Sequence, residues 1–184
     1  MQDFQLARRA MIDSQLRPEA VTDAGVLEAM GAVAREDHVP DNARAFAYFD
    51  RPIPLDNGRS IMPPAALGRL LSELAPRAGE RALVVEPASG YPAALLRHIG
   101  LTVDEGEGQG PYDLVLVDGA VEEWPASLTA LLAEHGRVGT ALLDRDVTRL
   151  AVGTRAGAGI AFRTIADAGV APIARFRRAP AFTF

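Results

Sequence analysis

The stretch ALVVEPASGYPAALL, Ala82 to Leu96, limits the fold more than any other part of this chain. Its apolar run reads as a buried strand, EPASG as a turn, and the residues from Pro92 as an apolar-faced helix with proline at its start. A strand that feeds a helix through a short turn is the opening of a strand-helix-strand unit, and the downstream sequence repeats the alternation. Strands are expected at Ala82 to Val85, Leu114 to Val117 and Arg137 to Leu143. Helices are expected at Pro92 to Ile99 and Pro125 to Glu134, the second stopping where Gly136 takes a left-handed conformation. This is the pattern of a parallel sheet covered by helices, an α/β fold. The tail, from Arg149 to Phe184, alternates short β-like runs with glycine turns and predicts an antiparallel pair completing the sheet.

Upstream the period is helical. Phe4, Leu6, Ala7, Ala10 and Met11 share a face, and Pro18 closes that segment. Thr22 is expected to cap a second helix, with Val26, Leu27 and Met30 on one side. The Pro-, Asp- and Asn-rich run from Val33 to Pro64, with a turn at Asp56 to Gly58, predicts a wrapping arm of loops and short extended pieces. Pro64 then opens a helix through Leu74. The division expected is a helical arm over residues 1–75, packed on a core over 76–184, in one structural domain.

Composition narrows the function. At 184 residues and 48% hydrophobic, the chain suits a single core, and a net charge of -5 argues against a general grip on nucleic acid or anionic lipid. The absence of cysteine excludes disulfides and thiolate metal sites, and His38, His98 and His135 lack metal-ligand spacing, so no metal is expected. His98 and His135 read instead as cations at helix C-termini. No apolar run follows the charges of the first residues and none is long enough to span a bilayer, so a soluble cytoplasmic protein is expected.

Among polar residues, Asp118 is the best placed. It follows LVLV at the carboxyl end of an expected strand, where open α/β sheets put ligand groups, although a capping role suits it equally. Ser89 and Ser127 have no His-acid partner at a recognisable spacing, and EPASGYP is not a nucleophile elbow. The run RFRR, Arg175 to Arg178, reads as a solvated β-edge.

Several segments taken together, MIDSQLRP, VAREDHVP, YFDRPIPLDNGRSI, LAPRAGERALVVEPASGYPAALL and PYDLVLVDGAVEEWPASLTALLAEHGRV, resemble the protein-L-isoaspartate O-methyltransferase family in the same order. The resemblance implies a Rossmann-like class I methyltransferase fold, S-adenosylmethionine as methyl donor, and repair of isoaspartyl carboxylates in protein or peptide substrates. It also implies a donor site at Glu86, Ala88, Ser89, Gly90, Tyr91 and Asp118.

Three departures from the family pattern bear on that implication. The donor loop of the family is Gly-x-Gly-x-Gly-Tyr, and its glycine positions here read Glu86, Ala88 and Gly90. Glycines there let backbone approach a ligand, so Glu86 and Ala88 would place side chains in that space. Secondly, between Gly100 and Asp113 there is no room for a strand-helix-strand unit, which predicts a shortened central sheet. The strand from Ala82 should then pair directly with the strand from Leu114, with the Pro92 helix as the crossover between them. Asp104, Glu105 and Glu107 are candidate remnants of either family acid, the one that meets the donor's ribose or the one after the strand that frames the adenine, or else a solvated loop across a deletion. Thirdly, RSIMPP stands where the family has Thr-Ile-Ser-Gln-Pro. It puts Ser60 at the threonine, Met62 at the serine implicated in methyl transfer and Pro63 at the glutamine. A thioether relays no proton, which leaves Ser60 as the catalytic candidate. Two readings follow: an isoaspartyl methyltransferase with weakened or lost activity, a pseudoenzyme in the limit, or a non-catalytic scaffold or interaction module on the same fold.

Overall fold

A computed structural model describes residues 3–55 and 58–178. The Asp3 carboxylate accepts from the Leu6 N–H at 3.0 Å and starts α1 (Phe4–Met11), which runs on into a π-helical turn at Ile12–Leu16. The next cap is Asp23, not Thr22. Its extended backbone lets the carboxylate accept from the Val26 N–H at 2.9 Å, opening α2 (Ala24–Ala32). Two 3-10 turns, Arg35–Asp37 and Asp41–Phe46, lead to a small antiparallel pair, β1 (Ile53–Pro54) and β2 (Ser60–Ile61). Of the turn expected at Asp56 to Gly58, the first two residues lie outside the described residues, and Gly58 has φ +75°. Then α3 (Pro64–Leu74) starts with proline in its first turn.

The arm is pinned by a buried cation. Arg35 is fully buried, with Nε donating to the Ala47 carbonyl at 2.8 Å and Nη2 to the Met62 carbonyl at 2.7 Å, so one side chain fastens the chain on both sides of β1.

The remaining elements are β3 (Arg81–Val85), α4 (Tyr91–Ile99), β4 (Thr102–Glu105), β5 (Tyr112–Val121), α5 (Ala126–Ala130), β6 (Leu132–Asp144), β7 (Val147–Ala156) and β8 (Gly159–Asp167). They form one sheet in the order β4-β3-β5-β6-β7-β8, parallel through β6 and antiparallel from there on. Strand alternation divides the core between the faces. Ala82, Val84, Leu114 and Leu116 pack with the arm helices and α4, whereas Leu83, Val85, Val115 and Val117 pack with Leu128 of α5 and Ile173 of the tail.

The expected direct pairing of the strand from Ala82 with the strand from Leu114 is present, Ala82 opposite Leu114 and Val85 opposite Val117. The crossover assignment needs correction. The α4 helix leads into β4, which lies on the other side of β3, and the chain then reaches β5 through six residues, Gly106 to Pro111. Because β4 is only four residues long, about 13 Å must be recrossed, within the roughly 20 Å that six extended residues reach.

The helix expected to Glu134 also stops early, at Ala130. The Leu131 carbonyl accepts from the Tyr112 N–H at 2.8 Å and Leu132 pairs with Tyr112, so the edge of β5 captures the chain before the helix can continue. His135 takes the left-handed conformation there, at φ +61°, and is not a helix-terminal cation. Gly136 serves close approach instead: a Cβ would lie 2.9 Å from the Ala133 carbonyl oxygen.

After β8 the tail turns back along β5. Pro172 bridges Ala120, the Ile173 N–H donates to the Ala120 carbonyl at 2.8 Å, and a 3-10 turn covers Ala174–Phe176. The expected solvated β-edge at Arg175 to Arg178 is therefore a correction, because Arg175 belongs to that turn and faces the end of β3.

Candidate functional site

The carboxyl ends of β3, β4 and β5 meet the β3–α4 loop. Glu86, the first residue past β3, has φ +54°, so the position that the family fills with glycine keeps a left-handed backbone while carrying a side chain. That conformation costs a non-glycine residue about 1 to 2 kcal/mol. Two cations compensate. Arg59 Nη1 lies 2.7 Å from Glu86 Oε2, and Arg175 Nε lies 2.7 Å from Glu86 Oε1. Arg59 reaches further: Nη2 donates to the Glu86 carbonyl at 2.5 Å and to the Asp118 carbonyl at 2.7 Å, bridging the end of β3 to Asp118, which lies inside β5 and not past its carboxyl end as expected, because the strand runs on to Val121.

Asp118 sits beneath this layer, 3% exposed, and its Oδ2 accepts from the Ala88 N–H at 2.9 Å. Burial pushes its carboxyl up to about 6, against the opposing pull of the Ala88 N–H and of Arg59 and Arg35. Gly90 has φ +70° and opens α4, and a Cβ there would lie 3.7 Å from a Glu105 carboxylate oxygen and 3.9 Å from His38 Nδ1. His38 Nδ1 also lies 3.2 Å from the Ser89 carbonyl oxygen. The Tyr91 ring is fully buried under the Arg35 guanidinium, 5.0 Å from its centroid, and burial raises its hydroxyl above the ordinary tyrosine range.

Glu86, Ala88, Ser89, Gly90, Tyr91 and Asp118 thus come together. Ser60 is paired with Pro54 in β2, and it is the preceding Arg59 whose guanidinium reaches the loop. Met62 is buried and offers its carbonyl to Arg35. Of the three candidate acids, Asp104 and Glu105 belong to β4 and Glu107 follows it; Glu105 is the one beside Gly90, where it also pairs with Arg97 at 2.8 Å, and Asp104 accepts from the Tyr112 hydroxyl at 2.6 Å. Sequence reasoning missed Arg59, Arg175 and Arg35. A glutamate at a glycine position was itself a signal, since a half-buried carboxylate calls for a cation.

A sequence model of the family described as protein-L-isoaspartate(D-aspartate) O-methyltransferase matches residues 7–106, more than half of the chain. The chain belongs to that family. Among curated relatives, a protein-L-isoaspartate O-methyltransferase 2 of Anaeromyxobacter sp. (strain Fw109-5) is 34% identical over 164 residues, 71% of this chain and 68% of that protein. A protein-L-isoaspartate O-methyltransferase of Methylorubrum populi is 35% identical over 164 residues, 72% of this chain and 77% of that protein. Since 164 aligned positions take in only about seven tenths of a 184-residue chain, these relatives carry residues with no counterpart here. Among solved structures, a putative protein-L-isoaspartate O-methyltransferase from Plasmodium falciparum in complex with S-adenosyl-L-homocysteine has a TM-score of 0.75 at 17% identity, covering 94% of this chain and 98% of that one. The fold is the Rossmann-like methyltransferase fold. The family match ends at Gly106, where β4 gives way to the six-residue crossing.

Proposed function

We propose that this member keeps the family's fold and has lost the family's reaction, methyl transfer from S-adenosylmethionine to isoaspartyl carboxylates. The observation that carries the reading is the Glu86 clamp. A donor bound at this loop needs bare backbone and polar groups with unspent capacity. Here each oxygen of the Glu86 carboxylate meets a guanidinium, the Ala88 N–H is bonded to Asp118, and Arg59 links the Glu86 carbonyl just past β3 to the Asp118 carbonyl of β5. These residues do not fit S-adenosylmethionine, the cofactor implied by the family and named, as its homocysteine product, in the Plasmodium complex. The acceptor side points the same way, since Met62, at the family's serine, is buried with no group able to relay a proton. The role left to the chain is that of a scaffold or interaction module acting on a protein or peptide partner.

The direct check is a methyl-transfer assay with labelled S-adenosylmethionine and an isoaspartyl peptide. The expected outcome is no turnover above the rate without protein. Turnover that disappears in Asp118→Ala contradicts the proposal and returns the chain to the active members of its family.

A further inference from the structure

The six-stranded sheet ends differently on its two sides. At one edge β4 is 4 residues long, and at the other β8 runs for 9, Gly159 to Asp167, paired only with β7. Edges of that length are ordinarily covered, interrupted by proline or lined with lysine, because a bare row of N–H and C=O groups is a template for another strand. β8 has no proline and no lysine, and both of its charged residues are engaged within the chain, Arg163 with Glu73 at 2.7 Å and Asp167 with Arg149 at 2.9 Å.

The hairpin decides which groups point outward. Gly157 and Ala158 make the turn between β7 and β8, with Ala156 opposite Gly159. Such a turn closes on a hydrogen bond from the N–H of its last residue to the C=O of its first, so Gly159, Ala161 and Arg163 bond to β7. Ile160, Phe162 and Thr164 therefore turn their N–H and C=O groups away from the sheet. Among the described residues, none of these groups has a main-chain partner outside the strand ladder. Ile165 has no partner in β7, a bulge that ends the regular edge after Thr164.

This edge is complementary to itself. Two copies related by a twofold axis pair antiparallel, and with the axis at Phe162 each Phe162 faces the partner's Phe162 and each Ile160 faces the partner's Thr164. Every outward group on both strands is then bonded, and Ala161 stands opposite the partner's Arg163. A register centred on Arg163 instead opposes two guanidiniums and leaves Ile160 unbonded, and one centred on Ala161 leaves Thr164 unbonded. The Phe162 ring, 5.4 Å from the Trp124 ring centroid within its own chain, meets its symmetry mate on the α5 face.

We propose that the chain self-associates through β8, two copies joining their sheets into one across an axis at Phe162. The paired segment is about 20 Å long, shorter than a permanent interface needs, so the dimer is weak, with a Kd of roughly 100 µM. The edge is separated from β3 and its loop by β5, β6 and β7, and the proposal does not depend on whether methyl transfer is lost.

The test is sedimentation equilibrium of the full chain from about 10 to about 500 µM, where the wild type should pass from monomer to a mixture rich in dimer. Ala161 is exposed, and by symmetry a charge placed there meets Arg163 twice. Ala161→Glu should tighten the dimer about tenfold and Ala161→Lys should weaken it by at least as much. Thr164→Pro keeps the β7 ladder, which does not use that N–H, and removes a donor to the partner, so it should stay monomeric with its far-UV circular dichroism unchanged. A wild-type chain that is monomeric over the whole range overturns the proposal. So does a dimer that responds alike to Ala161→Glu and Ala161→Lys, or one that persists in folded Thr164→Pro. Should Thr164→Pro not fold, the two Ala161 variants decide alone.

Discussion

Two connections join the first three parallel strands, and they are held by different forces. From β3 to β4 the chain passes through α4, whose Tyr91, Ala93, Leu95 and Leu96 are buried in the larger core. From β4 to β5 it passes through Gly106 to Pro111 with no helix, held by surface polar contacts. Arg81 donates to the Pro111 carbonyl at 3.2 Å and to the Gln109 carbonyl at 3.3 Å, and the Tyr112 hydroxyl donates to Asp104. Hydrophobic burial holds the first connection, and polar contacts together with a close backbone fit at Gly110 hold the second. The difference teaches that two parallel strands on either side of a third can be joined without a covering helix when the strand just left is as short as β4. It also locates the site: the loop that opens the first connection lies at the carboxyl end of β3, and there the family's glycines are replaced.

If the first connection stands on burial, Leu96→Ala should have the largest effect, a loss of about 2 to 5 kcal/mol in chemical denaturation. A loss below about 1 kcal/mol would mean that α4 is not a packed element and would remove the contrast. The loop beneath it should show in the pH dependence. Asp118 has a folded value of about 6, above the ordinary 3.8, so the unfolded chain gives up this proton first as pH rises. Its contribution therefore lowers stability as pH climbs from about 4 to about 6, and the cost is fully present above that. Asp118→Asn keeps an oxygen for the Ala88 N–H and removes the charge. Relative to wild type it should gain about 2 to 3 kcal/mol between pH 4 and pH 7.5. Parallel stability curves for the two proteins would contradict the buried carboxyl.

The second connection should fail by backbone fit. A Cβ on Gly110 would lie 2.3 Å from the Leu131 carbonyl oxygen, the same oxygen that takes the Tyr112 N–H, so Gly110→Ala must displace the start of β6. The expected loss is about 1 to 3 kcal/mol by urea unfolding. The smallest effect is Tyr112→Phe, which removes the hydroxyl bonded to Asp104 and should cost about 1 kcal/mol. If Tyr112→Phe costs more than Gly110→Ala, side-chain bonding holds the crossing more than backbone fit does.

How much of this could be read beforehand follows the same division. Helices and strands with a strong period were legible: Pro64 to Leu74 is α3 to the residue, and the alternation at Ala82 to Val85 and Leu114 to Val117 decides which face each side chain buries. Elements decided by a distant partner were not. The helix from Pro125 stops early because β5 takes the Leu131 carbonyl, and nothing local to Leu131 signals it. In the site, Asp118 was singled out from its place after the run LVLV, and Glu86 and Ala88 only from the resemblance to the family's glycine loop. Arg59 and Arg175 lie 27 and 89 positions from Glu86 in the chain, and only the fold brings all three together.

The central claim, that a family member with its donor loop closed by its own side chains has lost the donor, is tested most directly by isothermal titration calorimetry. The wild-type chain is titrated with S-adenosylmethionine and with S-adenosylhomocysteine. Two lost charge-assisted hydrogen bonds, at about 1.5 to 3 kcal/mol each, move a micromolar site to roughly millimolar or weaker. The account predicts no saturable heat for either compound up to millimolar concentration. A one-to-one isotherm with a micromolar Kd for either compound would contradict it.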